Sequence, residues 1–272
     1  MQRYEELKSR LLALCKSHPE IKAVIIIGSQ ARDVSKADEY SDLDLIVACS
    51  KPDMLLFSDE LVGKLGKIVY SFVEDTIAGE KERRILFENS LDVDMIVMTE
   101  KRLIQLIRSH VANELMNRGF LLYYDGCGIS EYIDKSSVVA KRHYTVLSEE
   151  QFRNLANDFF FHTVWAEKKI RRGELWTAIM CVNGYLKSKL LIVVEMYEHF
   201  IHGESYDTWH CGRMAEQWAE EFITEKLKNC FARYDTDELL SALKATKELF
   251  VTLSKSCAKA YNYTTGIDEI DN

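Results

Sequence analysis

Proline is almost missing from this chain. Of 272 residues only Pro19 and Pro52 are proline, so nothing beyond residue 52 is interrupted by the strongest helix breaker. Read as a linear string, no apolar run approaches the roughly 20 residues of a membrane-spanning helix. The charged opening Met1-Gln2-Arg3-Tyr4-Glu5-Glu6 is unlike a secretory signal. Cys15, Cys49, Cys127, Cys181, Cys211, Cys230 and Cys257 form an odd set without CxxC spacing. That pattern points to reduced thiols and a cytoplasmic location, not to a disulfide framework. The seven histidines show no HExxH or other ligand spacing, so no zinc site is expected. A basic excess is lacking too: 35 Lys and Arg stand against 43 Asp and Glu, a formal net charge of -8. Binding to nucleic acid through its phosphates draws on clustered cations, so this balance argues against such a partner and suits a small cationic substrate.

What is present is the composition of a globular protein, 47% hydrophobic and 29% charged, which excludes intrinsic disorder. The length favours two domains, and the pattern divides them near Ser136 into 1–136 and 137–272. The first half is mixed. Leu7, Leu11, Leu14 and Cys15 recur at helical spacing over residues 4–17, and Ile21 to Ile27 is a β-branched run typical of a buried strand. Further strands are expected at Leu43 to Ala48, Lys67 to Val73, Leu91 to Met98 and Phe120 to Tyr124, with helices at Asp53 to Leu65 and Lys101 to Val111. From Ser148 onward the spacing is helical throughout: Phe152, Leu155, Phe159, His162 and Ala166, then Leu175, Ile179, Val182 and Leu186. Ser148-Glu149-Glu150-Gln151 reads as a capping box, and Asp235 and Thr236 offer caps for a last helix ending near Tyr261. The fold class is therefore α+β, with an N-terminal mixed sheet followed by a C-terminal helical bundle of about four or five helices.

The chemistry concentrates in Ile25-Ile26-Ile27-Gly28-Ser29 and, twelve residues later, Asp42-Leu43-Asp44-Leu45. Alternate strand residues share a face, so Asp42 and Asp44 can hold one cation. Paired carboxylates suit Mg2+, whose shell is commonly completed by phosphate and water. Gly28 permits close backbone approach, and Ser29 adds a hydroxyl and an amide for an anion. Asp92 and Asp94 repeat the spacing on another strand, and Asp94 becomes a third carboxylate if the two strands are neighbours. Metal ions would then grip a triphosphate while a carboxylate deprotonates an acceptor hydroxyl for in-line attack. An isolated D-x-D is more often a solvated strand edge or a turn cap. The Gly-Ser turn and the second D-x-D reverse that preference.

This array of Gly28-Ser29, Asp42-x-Asp44 and a later strand carboxylate resembles the nucleotidyltransferase superfamily of DNA polymerase beta type. Within it the chain resembles the bacterial aminoglycoside 6-adenylyltransferases, the streptomycin-modifying branch. The closer likeness rests on Trp165-Ala166-Glu167-Lys168-Lys169-Ile170-Arg171-Arg172-Gly173-Glu174-Leu175 and on Trp209 to Trp218, with its Gly212-Arg213-Met214 and Glu216-Gln217-Trp218. Phe231-Ala232-Arg233-Tyr234-Asp235 also has a counterpart in the family, whereas the likeness between Lys51 and Asn89 is loose.

The resemblance implies a nucleotidyltransferase catalytic domain, a helical substrate-binding domain, ATP as cosubstrate, Mg2+, and transfer of AMP to an aminoglycoside hydroxyl with release of pyrophosphate. Asp42, Asp44 and Asp94 would be the metal ligands and Asp94 the base. Gly28 and Ser29 would hold phosphate together with Lys168. Gln30 departs from the family, which commonly carries Arg there, and Arg32 is the nearest candidate to replace it. Asp92 and Trp165 are candidates for contact with the acceptor, although an aromatic residue at helical spacing is more often core. His162, on an apolar stripe, reads as a satisfied core histidine. Ser29 has no His and Asp pattern around it, so a serine triad is not expected. Two alternatives stay open: another acceptor, such as a lincosamide, another small alcohol or a protein hydroxyl, and a non-catalytic regulatory protein that retains the fold.

Overall fold

The computed structural model describes residues 4–32, 37–76, 79–109, 111, 116, 119–133 and 144–264. Its contacts divide the chain into two compact units, Met1–Lys141 and Arg142–Asn272. The boundary expected near Ser136 lies outside the described residues.

In the first unit, helix α1 (Glu5–Ser17) buries Leu7, Leu11, Leu14 and Cys15 on one stripe, with Glu5 and Glu6 in its first turn and Lys16 in its last, as the helix dipole favours. A six-stranded sheet follows: β1 (Ile21–Ile27), β2 (Leu43–Cys49), β3 (Ile68–Asp75), β4 (Lys81–Phe87), β5 (Leu91–Met98) and β6 (Leu121–Asp125). Their spatial order is β3-β4-β5-β2-β1-β6, antiparallel at every pairing except β2 with β5. Val24, Ile26, Leu43, Leu45, Val93 and Met95 pack on the face that α1 covers. Ala23, Ile25, Ile27, Ile46 and Met98 pack on the other, beneath helix α4 (Glu100–Arg108). Central strands covered on both faces need unbroken apolar runs, which is why β1 and β2 were plain in the sequence.

Two sequence expectations require correction here. The single helix expected over Asp53 to Leu65 is instead two one-turn helices, α2 (Asp53–Leu56) and α3 (Asp59–Val62). Ser58 caps the second by accepting the Glu60 N–H, while the Arg83 guanidinium donates to the carbonyls of Leu55 and Ser58. The Leu55 carbonyl that a continuous helix would use internally is thus taken by a side chain. Strand β4, for its part, was not anticipated. Its run Lys81-Glu82-Arg83-Arg84 is charged throughout, yet Arg83 is only 3% exposed and is engaged by Leu55, Ser58, Asp59 and Ser71.

In the second unit, helix α5 (Glu149–Arg171) opens on the expected capping box: Ser148 Oγ accepts the Gln151 N–H, and Gln151 Oε1 accepts the Ser148 N–H. Helix α6 (Leu175–Met180) runs through a π-helical turn, Cys181–Tyr185, into α7 (Leu186–His202). Short helices α8 (Ala215–Trp218) and α9 (Glu221–Leu227) lead to α10 (Thr236–Tyr261), capped by the Asp235 carboxylate on the N–H groups of Asp237 and Glu238. Phe159 of α5 stacks on Phe250 of α10 with centroids 3.7 Å apart, at the centre of a core that also takes Phe152, Leu186, Leu190 and Leu253.

The expectation that no segment has the length and apolarity of a membrane span was too strong. The continuous helix Leu175–His202 has both. Its Ala178, Val182, Leu186, Leu190, Val193, Val194 and Met196 are nevertheless buried in the core of the bundle, the environment an apolar helix of a packed domain requires.

Glu195 sits on that helix, half-buried near Tyr144. Burial pushes its carboxyl from the ordinary 4.5 up to about 7. The folded protein therefore keeps a proton that the unfolded chain releases, so this contribution to stability is complete below pH 4.5 and is lost as the pH rises towards 7. A Glu195→Gln variant is expected to match the parent at the acid end and to exceed it above neutrality by about 1 kcal/mol, after allowance for solvent screening. Urea midpoints at several pH values check this, and a difference that does not vary with pH contradicts it.

Candidate active site

Strand β1 ends in a 3-10 turn, Gly28–Ala31. Gly28 adopts φ +69°, and a Cβ built there would lie 1.9 Å from Asp44 Oδ2. Glycine is thus required twice: for a left-handed backbone, and because the Asp44 carboxylate rests against its Cα. Ile27 and Asp44 are register partners across the β1–β2 pairing, which places the carboxylate beside the turn. In the parallel pairing of β2 with β5, Asp44 stands opposite Asp94. Carboxylate oxygens of Asp42, Asp44 and Asp94 all lie within 4.8 Å of one another, and all three residues are half-buried. This is the convergence that the repeated spacing allowed and that only adjacency of the two strands could produce.

Burial pushes the Asp94 carboxyl up to about 6. Arg84 opposes the rise, and the charges of Glu82, Asp42 and Asp92 add to it. Arg84 faces Asp94 in the β4–β5 register, with Nη2 at 3.7 Å from Oδ2, while its Nε holds Glu74 Oε1 at 2.7 Å. Sequence reasoning missed Arg84 because it missed β4. Asp92 is exposed and is tied back by Tyr4: its side chain and carbonyl accept from the Tyr4 hydroxyl, and its own N–H donates to that oxygen. It is not among the three converging carboxylates.

Ser29 is buried, and among the described residues its Oγ has no hydrogen-bond partner. A buried hydroxyl left without a partner costs stability unless something else satisfies it. An anion seated on the turn is suited to do so. At Gln30, Oε1 accepts from Lys8 Nζ at 3.1 Å, so helix α1 brings a cation to the place where the sequence lacks one. Arg32 is half-buried just past the turn. The Lys8 contact was not legible beforehand, because it depends on how α1 packs.

The remaining candidates belong to the second unit. Trp165 and Lys168 lie one turn apart on α5; Trp165 is half-buried and Lys168 exposed. Lys169 Nζ sits over the Trp165 ring, 5.3 Å from its centroid, and is paired with Glu174 at 2.7 Å. His162 is held through Nδ1 by the Asp158 carbonyl and carboxylate, at 2.9 and 2.7 Å, and its ring lies against Tyr185. It is a satisfied, half-buried histidine. Asp158 also takes Lys189 Nζ at 2.8 Å and the Tyr185 hydroxyl.

A family model described as streptomycin adenylyltransferase matches residues 1–272. No curated protein sequence matches. Among solved structures, an aminoglycoside 6-adenyltransferase from Bacillus subtilis is similar at 17% identity and TM-score 0.45, over 99% of this chain and 95% of that one. A spectinomycin adenyltransferase from Enterococcus faecialis, solved with ATP and spectinomycin, is similar at 9% identity and TM-score 0.29, over 93% and 98%.

Proposed function

Because the chain belongs to the streptomycin adenylyltransferase family, whose model spans all of it, we propose that this nucleotidyltransferase moves AMP from ATP to a hydroxyl of an aminoglycoside such as streptomycin, releasing pyrophosphate and conferring resistance. The observation that carries the reading is the convergence of Asp42, Asp44 and Asp94 beside the Gly28–Ser29 turn.

Three carboxylates within 4.8 Å of one another form an all-oxygen donor set, which fits a hard divalent cation such as Mg2+. Bound there, Mg2+ would neutralise charge on the triphosphate and on the oxygens of the displacement. The protein's own groups do the rest. The Gly28–Ser29 turn presents backbone and hydroxyl donors to the phosphates, and Lys8 and Arg32 are the cations assigned to them. Asp94, which points at the same place as Asp42 and Asp44, is assigned to accept the proton of the acceptor hydroxyl as that oxygen attacks the α-phosphorus and pyrophosphate leaves. Arg84 orients Asp94 from the neighbouring strand. Asp92 is assigned to the acceptor, and the net charge of -8 favours the approach of a polycation. The need for ATP and the free thiols of all seven cysteines support a cytoplasmic setting.

The test is mass spectrometry of an aminoglycoside panel incubated with purified enzyme, ATP and Mg2+. Streptomycin is expected to gain one AMP, with stoichiometric release of pyrophosphate. An AMP adduct confined to an alcohol outside the aminoglycosides would overturn the acceptor and keep the chemistry.

A further inference from the structure

Away from the aspartate cluster, the helical unit contains a second group of ligating side chains. Glu198 and His202 are one turn apart on α7, and Glu220 stands at the N-terminal cap of α9. One ligand atom from each lies within 4.8 Å of the other two. His202 Nε2 is 3.1 Å from Glu220 Oε1 and 3.4 Å from Glu198 Oε2.

Glu198 is the informative member. It is 0% exposed, and its Oε1 is fixed by the Glu220 N–H at 2.8 Å. Its Oε2, also buried, has no hydrogen-bond partner among the described residues. It is directed at the same imidazole nitrogen that already faces Glu220. A buried carboxylate oxygen left in this state is costly without a cation. A tetrahedral ion bound at about 2.0–2.1 Å sets its ligand atoms about 3.3 Å apart, so two of the three edges already have the right length. One imidazole with two carboxylates favours a transition ion such as Zn2+ over Mg2+. His202 and Glu220 are 34% and 41% exposed, which leaves an entry path and room for a water as the fourth ligand. The Tyr206 ring lies against the imidazole, with centroids 4.3 Å apart, and its hydroxyl is anchored on the Trp218 carbonyl, so the histidine is held in place.

We propose that Glu198, His202 and Glu220 form a zinc site that clasps the end of α7 to the start of α9, separate from the carboxylates assigned to catalysis. The sequence concealed it, since Glu198-x-x-x-His202 matches no common metal motif and the third ligand comes from the cap of another helix.

The test uses untagged full-length protein carrying Asp42→Asn and Asp44→Asn, so that the first cluster cannot answer for the second. Titration with Zn2+, followed by calorimetry and by the midpoint of thermal unfolding, is expected to show one saturable equivalent and a raised midpoint. His202→Ala in that background should weaken binding by more than the roughly 10–100-fold that loss of a supporting group costs. Glu220→Ala, at a more exposed position, should do the same and guards against misfolding of the histidine variant. Co2+ should give the visible absorption of a tetrahedral site, lost in both variants. Absence of saturable Zn2+ binding, as when a proton on His202 alone bridges the two carboxylates, would overturn the proposal. So would binding that both variants retain.

Discussion

Replacing Asp44 with asparagine is expected to lower AMP transfer by more than about 10²-fold while the protein stays folded. The substitution keeps the shape of the side chain against Gly28 and removes one of three negative charges crowded within 4.8 Å. Without a cation those charges repel, so the metal-free variant should unfold at the same temperature as the parent or slightly above it. Stabilisation by added Mg2+ should shrink, because the ion binds the folded state through this cluster. Asp42→Asn is expected to behave alike. Pyrophosphate release and unfolding midpoints with and without Mg2+ check both halves. Full activity in the two variants would remove the aspartate cluster from the chemistry.

Gly28→Ala is expected to cost both activity and stability, for separable reasons. Alanine at φ +69° is strained by roughly 1–2 kcal/mol. The new methyl would also lie 1.9 Å from Asp44 Oδ2, so the carboxylate must swing away from Asp42 and Asp94. A misplacement on the order of 1 Å at a reacting centre costs about 10²-fold in rate. Gly79 supplies the control: its φ is +80°, yet nothing lies within 4 Å of a Cβ built there. Gly79→Ala should therefore lose stability alone. Steady-state rates and urea midpoints for the two variants separate backbone strain from displacement of the carboxylate. Equal loss of activity in both would show that Gly28 matters only for its backbone.

Where side chains repeat along one element, the sequence was readable. The runs Ile21 to Ile27 and Leu91 to Met98 became strands with those bounds, and the capping box at Ser148 formed as its residues suggest. These features are local, since burial on both faces demands continuous apolar residues and a cap demands a hydroxyl at one position. Strand β4 was hidden because its charges are satisfied by carbonyls and carboxylates elsewhere in the fold. The break between α2 and α3 was hidden for the same reason, as Arg83 of β4 supplies the donors that make it stable.

The apolar spacing, the scarcity of proline and the two D-x-D strands pointed by themselves to an α+β chain with a helical second half and to paired carboxylates as candidate site residues. Only the tertiary structure decided which carboxylates meet. Asp94 joins Asp42 and Asp44 because β5 lies parallel beside β2, whereas Asp92, two residues earlier, is exposed and tied to Tyr4. It likewise set Lys8 at Gln30 and Glu220 at His202. The physical reason is that a side-chain period records which face a residue occupies, while strand order and helix packing, which bring distant segments together, leave no mark on the spacing within either segment.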